Sequence, residues 1–338
     1  MYKFNELRRL EIEPTNICQA RCPQCTRTPA DGTVNKSLND QLGLSLLQTQ
    51  IPKSFWQALA SINFNGTTGD CMAHHDITDI VAYIKQNSTA PLTIHTNGGL
   101  GSTSKWQQLA NILDQSDRVV FGLDGLADTH HLYRIGVDFD LVIRNAKTFI
   151  AHGGNAVWQF IPFQHNQHQI ATAQQMSKEL GFASFLLRRS GRFDSTNAQQ
   201  VFVDAKFSHT IKQFEGKLNQ LVYTEPERRQ HINTHQINCE SINTKWIGIY
   251  ADGTVWPCCH LMGQHRVSHF GISQLVNKKL LDVVGDYSQI DLHHHTLEAI
   301  INSDIFQQKY VASFTSQQPI PICVSECRNN VQYKNVNS

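Results

Sequence analysis

The chain has 338 residues, 40% of them apolar, with 29 Lys and Arg against 28 Asp and Glu. That length suits one large α/β unit with a smaller appendage, and the near-neutral balance counts against extensive clamping of nucleic-acid phosphates. No run of about 18 apolar residues occurs, so no membrane-spanning helix is expected; the opening MYKFNELRRLEIEP lacks the apolar core of a secretory signal, and a cytoplasmic location is expected.

Six short runs rich in Ile, Val, Phe and Leu read as strands largely buried on both faces: Arg9–Glu13, Ser61–Asn65, Leu92–Thr96, Val119–Leu123, Val157–Phe163 and Ser184–Leu187. Between them, Ile77, Ile80, Val81 and Ile84 trace one helical stripe, and Trp106, Leu109, Ile112 and Leu113 trace another. A third helix is expected over Asp140–His152, stopped by Gly153-Gly154. A fourth carries Ile170, Ala173, Met176 and Leu180 and stops at Gly181. Strands alternating with helices imply a parallel sheet with right-handed crossovers. Six units fall short of the eight of a closed barrel, so an open, partial (β/α)6 barrel of parallel strands fits the count. Residues 196–237, including KFSHTIKQFEGKLNQLV, read as a polar helical connector. After it, KWIGIYADGTVWPCC reads as a β-hairpin turning at Asp252-Gly253.

Nine cysteines is an odd number, and they cluster; in a long chain with no secretory signal, clustering favours metal over disulfides. Cys71 reads as an isolated buried thiol. In EPTNICQARCPQCTR the spacing is C-x3-C-x2-C, directly after the first strand, where α/β sheets place their ligands. Three thiolates from one loop can hold three irons of a cubane and leave the fourth iron for an exchangeable ligand. Zinc is the rival, but structural zinc normally takes four ligands from two knuckles, and no partner knuckle lies nearby.

CQARCPQC after a first strand resembles the signature of the radical S-adenosylmethionine (SAM) superfamily, and later landmarks follow in that family's order. The resemblance implies that Cys18, Cys22 and Cys25 hold a SAM-binding 4Fe–4S cluster. NFNGTTGDCMAHHD resembles the family's Gly-Gly-Glu segment running into His-Pro-Asp. On that match Thr68, Gly69 and Asp70 lie against the SAM amino group, and His74 and Asp76 start the next helix, Asp76 as its N-cap. IHTNGG and FGLDGL resemble segments lining the SAM pocket and carry over Asn97, Gly98, Asp124 and Gly125. Two departures stand out: Gln24 replaces the usual aromatic before the last cysteine, and Thr68-Gly69-Asp70 shortens the Gly-Gly-Glu carboxylate by one methylene.

Cys239, Cys258, Cys323 and Cys327 resemble the ligand set of the auxiliary-cluster module called a twitch or, when larger, a SPASM domain. One auxiliary 4Fe–4S cluster is implied, with zinc the alternative for four thiolates. The expected fold class is thus α/β, the partial barrel over 1–195 and a small C-terminal α+β iron–sulfur (twitch-like) domain over 238–338. Cys259 has three readings: a substitute ligand for Cys258, a buried thiol, or a catalytic group giving a proton or hydrogen atom to the substrate. The paired histidines His74-His75, His130-His131 and the run His293-His294-His295 lack an i, i+4 metal pattern. Arg188, Arg189 and Arg192 follow the sixth strand, placed for an acidic substrate, the SAM carboxylate or a surface role.

The resemblance implies reductive cleavage of SAM to a 5′-deoxyadenosyl radical that abstracts a hydrogen atom from a substrate. The outcome would be oxidation or modification of a peptide or protein side chain or of a small molecule, aided by the auxiliary cluster. A flavodoxin- or ferredoxin-type protein is the implied reductant, and neither membrane nor nucleic acid is expected as a partner. The alternative is a non-catalytic iron–sulfur or zinc protein on the same fold.

Overall fold

The computed structural model describes residues 1–28, 37–190, 193, 199–204, 207–216, 237–266, 271–317 and 319–327. All six expected strands form: β1 (Arg9–Ile12), β2 (Ser61–Phe64), β3 (Leu92–Thr96), β4 (Arg118–Gly122), β5 (Ala156–Phe160) and β6 (Ser184–Leu187). They pair in parallel and in chain order.

One face of this sheet meets the helices. Ile62, Phe64, Leu92, Ile94, Phe121, Trp158 and Phe160 are buried there. Helix α4 (Thr103–Ile112) sends Trp106 onto Phe121, ring centroids 5.2 Å apart, and helix α6 (Phe139–Ala151) adds Phe149 at 6.2 Å from Phe121. Burying each such ring is worth about 1.5–3 kcal/mol. Helix α3 (Ile77–Asn87) buries all four residues of its expected stripe. Helix α7 (Ile170–Glu179) buries Ala173.

The other face departs from expectation in part. β1, β4 and β5 are largely buried on both faces as expected, whereas β2, β3 and β6 are not; in register, Glu11, Asn63, Thr93 and Arg118 share the inner side. β2 alternates half-buried and buried residues, and on β6 Leu186 is 44% exposed.

Two further departures concern connectivity. The segment expected as a helical connector contains an antiparallel pair, β7 (Gln199–Asp204) and β8 (Phe207–Lys212). The β-branched and aromatic residues of QQVFVD and FSHTIK suit a pleated strand better than a helix, and this outweighed their polarity. Positions 217–236 of that connector lie outside the described residues. The C-terminal hairpin forms as expected, β9 (Trp246–Ile249) with β10 (Val255–Trp256), and Gly253 at φ +90° makes its turn. This hairpin continues the barrel sheet, because β9 pairs in parallel with β1 and gives the order β10-β9-β1-β2-β3-β4-β5-β6. A 14-residue helix (Gly271–Val284) and several shorter ones follow, and among the described residues no helix is long and apolar enough to cross a membrane.

Candidate functional site

The loop leaving β1 carries Cys18, Cys22 and Cys25 as neighbours, with Cys22 and Cys25 both near the Cys18 thiol. Cys25 N–H donates to the Cys22 carbonyl at 3.1 Å, and Gln24 between them takes a left-handed φ of +68°. Such a conformation is costly for a residue with a Cβ. Gln24 also accepts a hydrogen bond from Ser190 Oγ at 3.0 Å, so it ties the loop to the segment after β6 where the family has an aromatic. Cys18 sulfur receives the Ala20 N–H at 3.4 Å and Asn97 Nδ2 at 3.5 Å. Burial, chiefly, raises the Cys18 thiol and pushes Cys22 up to about 11, and the nearby Arg134 cation partly offsets the shift at Cys22.

The loop after β2 closes directly onto the cysteine loop. Asp70 N–H donates to the Ile17 carbonyl at 2.9 Å, and Thr26 Oγ1 donates to the Thr67 carbonyl at 3.0 Å. A Cβ at Gly69 would overlap the Thr15 carbonyl, so only glycine permits this approach. Asp70, buried, spends its carboxylate within the protein. It accepts from Met72 N–H (3.0 Å), Thr96 Oγ1 (2.9 Å) and Asn97 N–H (2.6 Å). Asn97 orders the next turn by accepting from Gln19 Nε2 (2.8 Å) and Gly99 N–H (2.9 Å). The Gly98 carbonyl accepts from Asn145 Nδ2 at 2.8 Å.

Asp124, at the end of β4 with Gly125 beside it, is fully buried. It pairs with Arg134 Nε at 2.6 Å and accepts from Ile161 N–H at 2.6 Å. Burial raises the Asp124 carboxyl and the guanidinium pulls it back. Sequence reasoning missed Arg134, which reaches Cys22 as well. Glu13 was missed too: fully buried at the end of β1, it accepts from the amides of Thr67, Thr68 and Gly69 and from Thr68 Oγ1. The available signal was an acid on the inner side of a strand, immediately before the cysteine loop.

The C-terminal half brings Cys239, Cys258, Cys323 and Cys327 from three separate stretches into one neighbourhood, with Cys327 hydrogen-bonded to Cys239. Asn238 N–H on the Cys327 carbonyl, 2.7 Å, fastens the tail to the first of them. Cys239 is held below the usual thiol range by the hydrogen bond it receives from Cys327. Burial, then the nearby Cys239, pushes Cys258 up to about 12. Cys259 follows Cys258 directly and is also near it. It lies beside Glu11 on the inner wall, and burial followed by that carboxyl raises its thiol strongly. Burial raises Glu11 itself to about 7, with Asn65 Nδ2 donating to it at 3.1 Å.

Other expectations resolve locally. Asp76 occupies the N-cap of α3 but makes no side-chain cap; its carboxylate pairs with the adjacent His75 Nε2 at 2.9 Å instead. His74 is buried, receiving Asp76 N–H on Nδ1 (3.0 Å) and so donating from Nε2 to the Leu42 carbonyl (3.1 Å). Cys71 is buried, its thiol donating to the His95 carbonyl at 3.6 Å. Arg188 is exposed near His95, which burial and this cation lower to about 4. Arg189 is half-buried and Arg192 lies outside the described residues.

A family model described as the radical SAM superfamily matches residues 12–170, and one described as an iron–sulfur cluster-binding domain, SPASM, matches residues 239–329. The chain belongs to the radical SAM superfamily. No curated protein matches its sequence. Radical SAM folds it resembles include polyhistidine-tagged anSMEcpe with bound AdoMet: 14% identity over 92% of this chain and 81% of that one, TM-score 0.52. Another is Streptococcus suis SuiB bound to precursor peptide SuiA: 16% identity, 94% and 76% covered, TM-score 0.50. Against another structure of Streptococcus suis SuiB, the chain covers only 61% of that protein's length. A radical SAM domain takes a 4Fe–4S cluster and SAM, and a SPASM domain takes auxiliary iron–sulfur.

The donor sets fit those groups. Three neighbouring thiols suit a cubane with one iron free, and N–H groups already point at the Cys18 sulfur, as around cluster thiolates. Four neighbouring thiols suit a fully ligated cluster. Beside Cys258 and Cys323 lies the Tyr310 hydroxyl, buried and without a hydrogen-bond partner, a donor that cluster sulfur would satisfy.

Proposed function

We propose that this protein reductively cleaves SAM and uses the resulting radical to modify a peptide side chain, with one auxiliary 4Fe–4S cluster assisting. The observation that carries the reading is the meeting of the three-cysteine loop with the Gly66–Asp70 loop and the Asp124–Arg134 pair at one end of the barrel. Cys18, Cys22 and Cys25 would hold the SAM cluster, and Cys239, Cys258, Cys323 and Cys327 the auxiliary one. The chemistry supplied by cluster and SAM together is one-electron cleavage to methionine and a 5′-deoxyadenosyl radical that takes a hydrogen atom from a substrate C–H bond.

The chain's own residues do the rest. Thr68, Gly69 and Asp70 line the place for the SAM amino group, and Arg134 offers a largely buried cation for its carboxylate. Asn97, Gly98, Asp124 and Gly125 shape the strand ends that border the nucleoside. The wall carrying Glu11, Asn63, Asn65 and Cys259 receives substrate, with Glu11 placed beside Cys259 to take up a proton. Structural neighbours bound to peptide support a peptide over a free small molecule. A flavodoxin- or ferredoxin-type protein would deliver the electron.

Anaerobic reconstitution tests this. About eight irons per chain, for two cubanes, and reductant-dependent release of 5′-deoxyadenosine are expected. Iron uptake with no SAM cleavage would refute the activity, and zinc in the C-terminal site would refute the auxiliary cluster.

A further inference from the structure

The mechanism leaves Glu13 unused, yet no other carboxylate described here is so completely engaged. Its Oε1 accepts from Thr68 N–H (2.7 Å), Thr68 Oγ1 (2.6 Å) and Gly69 N–H (2.8 Å), and its Oε2 accepts from Thr67 N–H (3.0 Å). A hydroxyl has one proton, so Thr68, donating to Glu13, must accept from Tyr250, whose hydroxyl lies 2.8 Å away. Tyr250 belongs to the turn between β9 and β10 and also reaches Asn16, just ahead of the first cysteine.

Trans peptide planes point their N–H and C=O in opposite directions. Three successive N–H groups aimed at Glu13 therefore send the carbonyls of Gly66, Thr67 and Thr68 the other way. The Thr67 carbonyl shows where that is, since it meets Thr26 Oγ1 at 3.0 Å, one residue past Cys25. The acceptor side of the loop thus faces the cysteine loop.

We propose that Glu13 is a positioning residue of the SAM site. By gathering three amides behind the loop, it presents the Gly66 and Thr68 carbonyls as acceptors for the SAM amino group. Tyr250 braces the arrangement from the C-terminal hairpin. The inference rests on the proposed use of this loop by SAM. It accounts for how a loop whose own acid, Asp70, is committed elsewhere still offers acceptors to an amine.

The test uses the full-length, anaerobically reconstituted protein: wild type, Glu13→Gln and Tyr250→Phe. Iron content, melting temperature, the SAM dissociation constant by equilibrium dialysis, and the EPR spectrum of the reduced cluster titrated with SAM are measured. Glu13→Gln keeps one acceptor oxygen but turns an NH2 group toward a backbone donor. It should keep wild-type iron while weakening SAM binding about tenfold or more, as loss of a supporting hydrogen-bond shell does. The SAM-induced EPR change should require correspondingly more SAM, and Tyr250→Phe should weaken binding about two- to fivefold, one hydrogen bond's worth. Wild-type SAM affinity in iron-loaded Glu13→Gln overturns the proposal. Should that variant fail to load iron, unchanged SAM affinity in Tyr250→Phe overturns it instead. A wild-type protein that loads iron but binds no SAM overturns the proposed function first, and this inference with it.

Discussion

The two cysteine sites are built by opposite strategies. The barrel site takes its thiols from one loop, Cys18 to Cys25, and surrounds them with hydrogen bonds reaching to β2, β3 and the segment after β6. The C-terminal site takes four thiols from three distant stretches, so assembling it requires the tail to fold back onto Asn238. A set of three held locally is suited to leaving one iron open for a reactant. A set of four closed by long-range folding is suited to a group that stays fully ligated. On the proposed function, this difference in geometry divides a site that reacts from one that assists.

The largest expected effect tests that division directly. Cys22→Ala should abolish 5′-deoxyadenosine formation and remove about half the iron. Cys323→Ala should remove a similar share of iron yet leave reductant-dependent SAM cleavage measurable, now uncoupled from substrate. Equal loss of SAM cleavage in both variants would break the comparison.

A smaller effect concerns charge. Asp124 is fully buried and Arg134 is its cation, so Arg134→Met leaves a buried carboxylate unpaired, a change that costs about 3–5 kcal/mol in such pairs. Denaturant unfolding should show that loss, and Arg134→Met combined with Asp124→Asn should recover part of it. A single variant as stable as wild type would show that the pair does not support the barrel site.

The mildest effect is acid sensitivity in the barrel. Burial, the largest cause at each, lowers His74 to about 4 and His130 to about 3 from the ordinary 6.5. Between those values and 6.5 the unfolded chain binds more protons than the folded one, so stability falls as pH falls through this window. Each histidine contributes a slope of up to about 1.4 kcal/mol per pH unit. His130, whose ring nitrogens are buried without partners, can be replaced by Leu with little loss at pH 7. The variant's unfolding curves at pH 7, 6 and 5 should then lie closer together than those of the wild type.

Much of this was legible before any fold was seen. Periodicity marked the strands and the α3 stripe because both report burial against one layer, a local property. The cysteine loop was legible because its ligands are neighbours in sequence. What escaped depended on distance along the chain. Glu13 acts on amides more than fifty positions away, and nothing in EIEP announces them. Arg134 matters through a partner, Asp124, that only the turn after β4 brings beside it. The β7–β8 pair was misread because polar side chains masked strand-forming residues, and the edge that β9 joins is set by sheet topology alone.

That last contact has a consequence for biosynthesis. β1 is made more than 230 residues before β9, the strand that completes its second edge. Until then β1 offers unpaired backbone groups to any neighbouring chain, the usual opening for aggregation. Folding rate must also carry the entropy of closing so long a loop. A truncated protein ending before Trp246 would therefore do more than lose four cysteines. It would strand the barrel with a bare edge, and a larger share of such a fragment than of the full chain should be recovered in inclusion bodies.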